Sequence, residues 1–115
     1  MKLIIAYIQP EKLTAVKQSL YAAKIFKLSV TNALGCGQQK GYHETYRGVD
    51  TEVNLLKKVR LEIAVNDDFV ERTIDCLRQV ARTGNEGNIG DGKVFVLPLE
   101  ETIQISDGQQ GPGAV

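Results

Sequence analysis

Net charge is missing from this chain: fourteen basic and fourteen acidic side chains cancel over 115 residues. No overall field draws it to nucleic acid or to an anionic membrane, so any electrostatics that matter are local. Aromatic side chains are scarce, at 6%, and Tyr7 and Phe95 are too few to form the stacking platform of an RNA-binding sheet. The single histidine, His43, stands beside Glu44 with Glu52 further on, and one imidazole does not organise a metal site. Cys36 and Cys76 lie far apart with no C-x-x-C spacing, which argues against a disulfide framework or a zinc site and leaves two free thiols. No Ser-His or Cys-His pairing stands out, so catalysis is not expected. Long apolar runs are lacking too. The stretch Leu3 to Ile8 is too short for a signal core or a membrane span and is cut off by Pro10, and the expectation is a cytoplasmic protein.

What is present is enough apolar content, 43%, for one compact core, and residues 1–115 read as a single domain. The chain repeats itself: Lys2-Leu3-Ile4-Ile5-Ala6 lies over Arg60-Leu61-Glu62-Ile63-Ala64, and Val16, Ala23 and Lys24 over Ile74, Ala81 and Arg82. In the first half a strand runs to about Ile8, Pro10 opens a helix, and Leu13, Val16, Leu20 and Ala23 form one apolar stripe. A second strand is expected from about Lys27 to Leu34. In the second half Val59, Leu61, Ile63 and Val65 alternate with more polar residues at the period of a strand with one buried face. Asn66 or Asp67 is placed to cap a helix carrying Phe69, Val70, Thr73, Ile74, Leu77, Val80 and Ala81 on one side, and Lys93 to Leu97 supplies a fourth strand. The order β-α-β, β-α-β predicts an α+β split βαββαβ sandwich, with both helices on one sheet face. Another copy of the chain is the expected cover for the other face. Residues 36–54 form a long polar hairpin of the kind that is usually functional, and the Gly- and Gln-rich tail 106–115 is expected to move freely unless a ligand pins it.

Two glycine-rich segments draw attention. Gly87-x-x-x-x-Gly92-Lys93 matches a Walker phosphate loop in all but its last position, where Val94 replaces the hydroxyl that would ligate magnesium. The segment also precedes a strand when that motif requires a helix, which excludes a P-loop NTPase. Its physical logic survives, because glycines let backbone N–H groups approach phosphate oxygens and a lysine adds charge. A plain linker between helix and strand is the bland alternative. Gly35-Cys36-Gly37-Gln38-Gln39-Lys40-Gly41 exposes backbone donors at the end of the second strand, and the two loops would form opposite walls of one cleft.

With Tyr46-Arg47-Gly48, Lys58 to Ile63, and Thr83-Gly84 followed by Gly90-Asp91-Gly92-Lys93-Val94-Phe95-Val96, these segments make the chain similar to the PII signal-transduction family over almost its whole length. The resemblance implies a ferredoxin-like homotrimer whose inter-subunit clefts bind an adenine nucleotide, with magnesium and 2-oxoglutarate as further small-molecule effectors. It implies a long hairpin at 36–54, the T-loop, that docks on a target membrane transporter or metabolic enzyme and not on nucleic acid. Site residues carried over by the resemblance are Ser29, where threonine is common in the family, and Gly35, Gly37, Gln38, Thr83, Gly84, Gly90, Asp91, Gly92 and Lys93. Gln39 would reach magnesium and the 2-oxo acid, and Lys58 would face a carboxylate. Glu62 would pair with a lysine such as Lys40, or else form an ordinary surface ion pair. Tyr46, Arg47 and Thr51 are the expected partner contacts, and Thr51 stands where uridylylated members carry their tyrosine, so that modification is not expected.

Gln38, Gln104 and Ser106 are neutral where triphosphate-binding members have arginine, and the second glycine loop is three residues longer than usual. Charge-assisted phosphate contacts contribute about 1.5–3 kcal/mol each. Their loss favours a ligand with fewer phosphates, such as ADP, AMP or a cyclic nucleotide, over ATP, unless a cation such as Arg82 replaces them. The competing expectation is a trimer with lost or altered nucleotide sensing that regulates a non-ammonium transporter, for bicarbonate or metal efflux, through protein binding alone.

Overall fold

The computed structural model describes residues 1–36, 45–46, 49–50 and 55–115. β1 (Lys2–Ile8) is followed by a 3-10 turn, Pro10–Lys12, and α1 (Leu13–Ala22). β2 (Ser29–Gly35) comes next, then the two-residue strands β3 (Thr45–Tyr46) and β4 (Val49–Asp50), which pair with each other. β5 (Leu56–Val65), a second 3-10 turn at Asp67–Phe69, α2 (Val70–Ala81) and β6 (Gly92–Pro98) complete the main body. The sheet has the order β2-β5-β1-β6 with every neighbouring pair antiparallel. β5 separates the two strands of the first βαβ unit, which is the split βαβ, ferredoxin-like arrangement expected.

Period-two patterning decides which sheet face is covered. Ile4, Ala6 and Ile8 of β1 and Val59, Leu61, Ile63 and Val65 of β5 are buried, together with Val16 and Leu20 of α1 and Leu77 and Ala81 of α2. Register sets Ile4 against Ile63 and Ala6 against Leu61, so the two central strands present one continuous apolar floor to both helices. Each valine, leucine or isoleucine among them contributes about 1.5–3 kcal/mol on burial. Thr73 is the buried polar residue of α2, and its hydroxyl donates to the Phe69 carbonyl at 2.8 Å. Leu3, Ile5 and Tyr7 alternate onto the opposite face, beside Phe95 and Leu97, which remain 49% and 41% exposed.

Two local expectations are revised. The second strand starts at Ser29, later than Lys27, because α1 ends in a left-handed turn: Lys24 has φ 67°, its N–H donates to Tyr21, and the Ile25 N–H donates to Leu20. Asn66 occupies the cap position ahead of α2 but makes no side-chain cap; its Nδ2 donates to the Pro112 carbonyl at 3.1 Å. Backbone bonds also link residues 102 to 111. The Gln104 N–H donates to Gln109, that of Gly108 to Gln104 and that of Gly111 to Thr102, closing a turn whose bonds are backbone-made and therefore leave no hydrophobic period.

Candidate functional site

At one end of the sheet, β1 stops at Ile8, β2 at Gly35 and β5 starts at Leu56, while β6 begins at Gly92. Register brings Gly92 opposite Ile8 and Lys93 opposite Tyr7, so the loop leaving α2 must cross this end to enter the sheet. Gly92 is required there: its φ is 124°, and a Cβ would drive into the Tyr7 carbonyl oxygen.

Asp91 holds the loop together. Its Oδ1 accepts from the Thr83 hydroxyl at 2.6 Å, and its Oδ2 accepts from the backbone N–H groups of Thr83 at 2.9 Å and Asn88 at 2.8 Å. Partial burial pushes this carboxyl up, but the Thr83 and Asn88 hydrogen bonds and the charge of Lys12 together outweigh it and hold it below its ordinary value. Asp91 thus spans the loop that the sequence read as an array of free donors. Two of the backbone donors are already committed to its carboxylate.

The Gly90 carbonyl is the second anchor. Gln9 Nε2 donates to it at 2.7 Å and Lys58 Nζ at 2.8 Å. Lys58 therefore ties β5 directly to the glycine loop. Two clefts flank this junction. One, of about 530 Å³, is lined by Gly35, Cys36, Lys58, Gly90 and Phe95 among others. The other, of about 740 Å³, opens between α2 and β6, with Ile74 and Leu77 on its apolar side and Arg78 and Arg82 from the end of α2. Tyr7, Ile89, Gly92 and Lys93 line both, so they share a wall.

Of the residues singled out in sequence, Gly35, Lys58, Gly90, Gly92 and Lys93 converge on the smaller cleft, and Asp91, Gly92 and Lys93 on the larger. Thr83 supports the loop through Asp91 and lines neither cleft, nor does Gly84. Ser29 and Glu62 are cross-strand partners that line neither cleft of the single chain. Glu62 meets Arg60 at 2.6 Å, a half-exposed ion pair within β5. Gly37, Gln38, Gln39, Lys40, Arg47 and Thr51, and the side chain of Tyr46, lie outside the described residues. Cys36 and Cys76 are free thiols; Cys76 donates weakly to the Ser19 carbonyl at 3.6 Å. The Gln104 amide donates to the Ser106 hydroxyl at 3.1 Å, so these two neutral side chains engage each other.

Gln9 and Arg78 escaped the sequence reading. Gln9 carries no signal before Pro10, whereas Arg78 on the last turn of α2 and Arg82 just beyond its end are legible as two basic residues at a helix C-terminus. Ile74, expected in the core, lines the larger cleft. An adenine nucleotide suits this donor set: apolar side chains to meet a ring, ammonium and guanidinium groups to meet phosphate, and glycines that leave room at the loop.

A family model described as nitrogen regulatory protein P-II matches residues 1–109. The chain is 47% identical to nitrogen regulatory protein GlnK1 of Methanosarcina mazei over 115 residues, covering all of this chain and 97% of the relative. It is 45% identical to nitrogen regulatory protein P-II of Azospirillum brasilense and 47% identical to that of Bradyrhizobium diazoefficiens, each over 100% of both chains. Among the described residues no helix is long and apolar enough to cross a membrane. Fold, glycine loop and full-length similarity agree, and the chain belongs to the P-II family of nitrogen regulatory signal-transduction proteins.

Proposed function

We propose that the protein binds an adenine nucleotide at the loop end of its sheet, in clefts completed by neighbouring copies in a homotrimer, and signals occupancy to a target protein through residues 36–54. The observation that carries this reading is the pair of bonds from Lys58 and Gln9 to the Gly90 carbonyl. They connect the strand at the base of the hairpin to the glycine loop, so a ligand that moves either one bears on the other. Lys93 and the loop's remaining backbone donors would hold phosphate, while Tyr7 and Phe95, packed edge to face at 6.3 Å between ring centres, supply apolar surface. Lys58 has a polar partner already, and a second anion such as the carboxylate of 2-oxoglutarate would compete with the Gly90 carbonyl for it. Magnesium would enter with the phosphates. A transporter or metabolic enzyme is the class of target.

Isothermal titration of the full chain with ATP, ADP and AMP, each with and without magnesium and 2-oxoglutarate, tests this reading. Saturable binding of at least one nucleotide, altered by 2-oxoglutarate, is the expected result. Heats indistinguishable from dilution for all three would sink it.

A further inference from the structure

A second corner of the molecule, at the far end of α1, carries charge of one sign. Between Glu11 and Glu44 the chain has five lysines and no acidic residue, although its charges cancel overall. Three of these, Lys17, Lys24 and Lys27, lie on α1 or just after it; all three are exposed, and none makes an ion pair among the described residues. Two aromatic rings stand among them. The left-handed turn at Lys24 sends Ile25 into the core and Phe26 back toward the helix, where its ring meets Tyr21 edge to face at 4.8 Å between centres. Tyr21 and Phe26 are 68% and 59% exposed, so the pair adds little to the core, and packed rings left in solvent mark a contact surface. Beside Phe26 a groove of about 200 Å³ runs past Lys24 and Lys27 to Phe69 and Val115. Its Phe69 wall is held in place: the Arg72 guanidinium lies 4.6 Å over that ring and donates to the Ala23 carbonyl at 3.3 Å.

We infer that this corner is a docking site for an acidic peptide segment of a partner protein, with one bulky apolar side chain in the groove and carboxylates on Lys17, Lys24 and Lys27. Size selects the anchor. Small-molecule pockets run from about 300 to 1,000 Å³, whereas a groove of 200 Å³ takes a single side chain. Charge selects what flanks it, because lysines with no acid among them attract carboxylates and repel a basic segment. Lys17 stands four residues before Tyr21 on α1, a separation of roughly 5–6 Å at Cβ, so its ammonium extends the same surface. Lys24 carries the inference furthest: it holds a φ of 67° where glycine would sit without strain, and a cation kept in a strained position fits a contact role. A membrane is the poorer partner. Three lysines fall short of the roughly four to eight of a lipid-binding cluster, and a groove is concave where an inserting wedge must protrude. α1 packs on the buried side of the sheet, so the corner stays open when another copy covers the opposite face.

The probe is a set of phage-displayed random peptides selected on the unsubstituted full chain, after removal of every peptide that also binds Tyr21→Ser, a change expected to cost tenfold or more in affinity. What remains is specific to the corner. These peptides are expected to combine aspartate or glutamate with one large apolar residue, and their affinity, read by fluorescence anisotropy, should fall as salt rises. Lys24→Gly should weaken them by roughly threefold to tenfold while relieving the backbone, and Lys24→Glu should weaken them further. Lost affinity in a variant that is no less stable separates contact from structural support. Thermal melting of each variant verifies the fold. No remaining peptide, remaining peptides without acidic residues, or equal affinity for Lys24→Gly and the unsubstituted chain would each overturn the docking site. So would flotation of the chain with phosphatidylserine vesicles that Lys24→Glu abolishes while no acidic peptide binds, since the corner would then face a membrane.

Discussion

Lys24 occupies a position that usually belongs to glycine. Its φ of 67° closes α1, where the Ile25 N–H reaches back to Leu20 and the Lys24 N–H to Tyr21, the double bond pattern of a Schellman cap. A residue with a Cβ is disfavoured in this conformation by roughly 1–2 kcal/mol, and the chain tolerates it because the cap delivers Ile25 to the core, where it is only 5% exposed. Lys24→Gly is therefore expected to raise stability by about 0.5–1 kcal/mol, after offsetting the greater freedom glycine brings to the unfolded chain. A urea titration reads this as a higher midpoint with an unchanged slope. A lower midpoint would mean that the lysine side chain supplies something the cap geometry does not show. Gly92 is the opposite case. There the left-handed φ coincides with backbone contact, so its glycine serves strand entry whether or not a phosphate is bound.

At the scale of elements, the loop from Arg82 to Asp91 behaves as a unit fastened at Asp91. Because the folded carboxyl is held below the ordinary carboxylate value of 3.8, its contribution is fully present above that value and is lost as pH falls through the lower folded one. Asp91→Asn should cost about 1–2 kcal/mol near neutrality, discounted for the loop's exposure, since an amide cannot accept all three bonds. The stability difference between the unsubstituted chain and Asp91→Asn should stay flat down to about pH 4 and shrink below it. A difference that persists undiminished at pH 2 would show that the carboxylate is not the fastening group. β5 and the stripe of α1 were legible in sequence because burial imposes periods of two and of 3.6 on them. The end of α1, the Asn66 side chain and the tail were not, since each is decided by hydrogen bonds to particular backbone atoms. The site was legible as residue types but not as an arrangement. Nothing local to Gln9, Lys58 or Gly90 says that they meet, because their meeting depends on the register of β1, β5 and β6.

On the scale of the whole molecule, the described residues leave one sheet face uncovered in the single chain. Leu3, Ile5 and Tyr7 face out beside Phe95 and Leu97, and the edge strands β2 and β6 are largely exposed. An antiparallel sheet can keep one face in water, but then that face is normally polar. The charges that share it are arranged for burial. Arg60 and Glu62 meet at 2.6 Å, so covering them leaves no uncompensated charge, the condition under which a buried ion pair is tolerated. Arg60 Nε is already shielded from solvent without a partner among the described residues, a donor that an acceptor on a neighbouring copy would satisfy. Leu97 tests the assembly selectively, because it lies opposite Leu3 in the sheet and lines neither cleft. Leu97→Asp places a carboxylate without a partner on the face to be covered, at a cost of several kcal/mol per copy if it is buried. Sedimentation velocity at micromolar concentration should give the mass of three chains for the unsubstituted protein and of one chain for Leu97→Asp, with the far-ultraviolet circular dichroism unchanged. Nucleotide affinity should fall with the assembly if neighbouring copies complete the cleft. A three-chain mass for Leu97→Asp would place the contact elsewhere, and a one-chain mass for the unsubstituted protein would mean that each chain must make its own site.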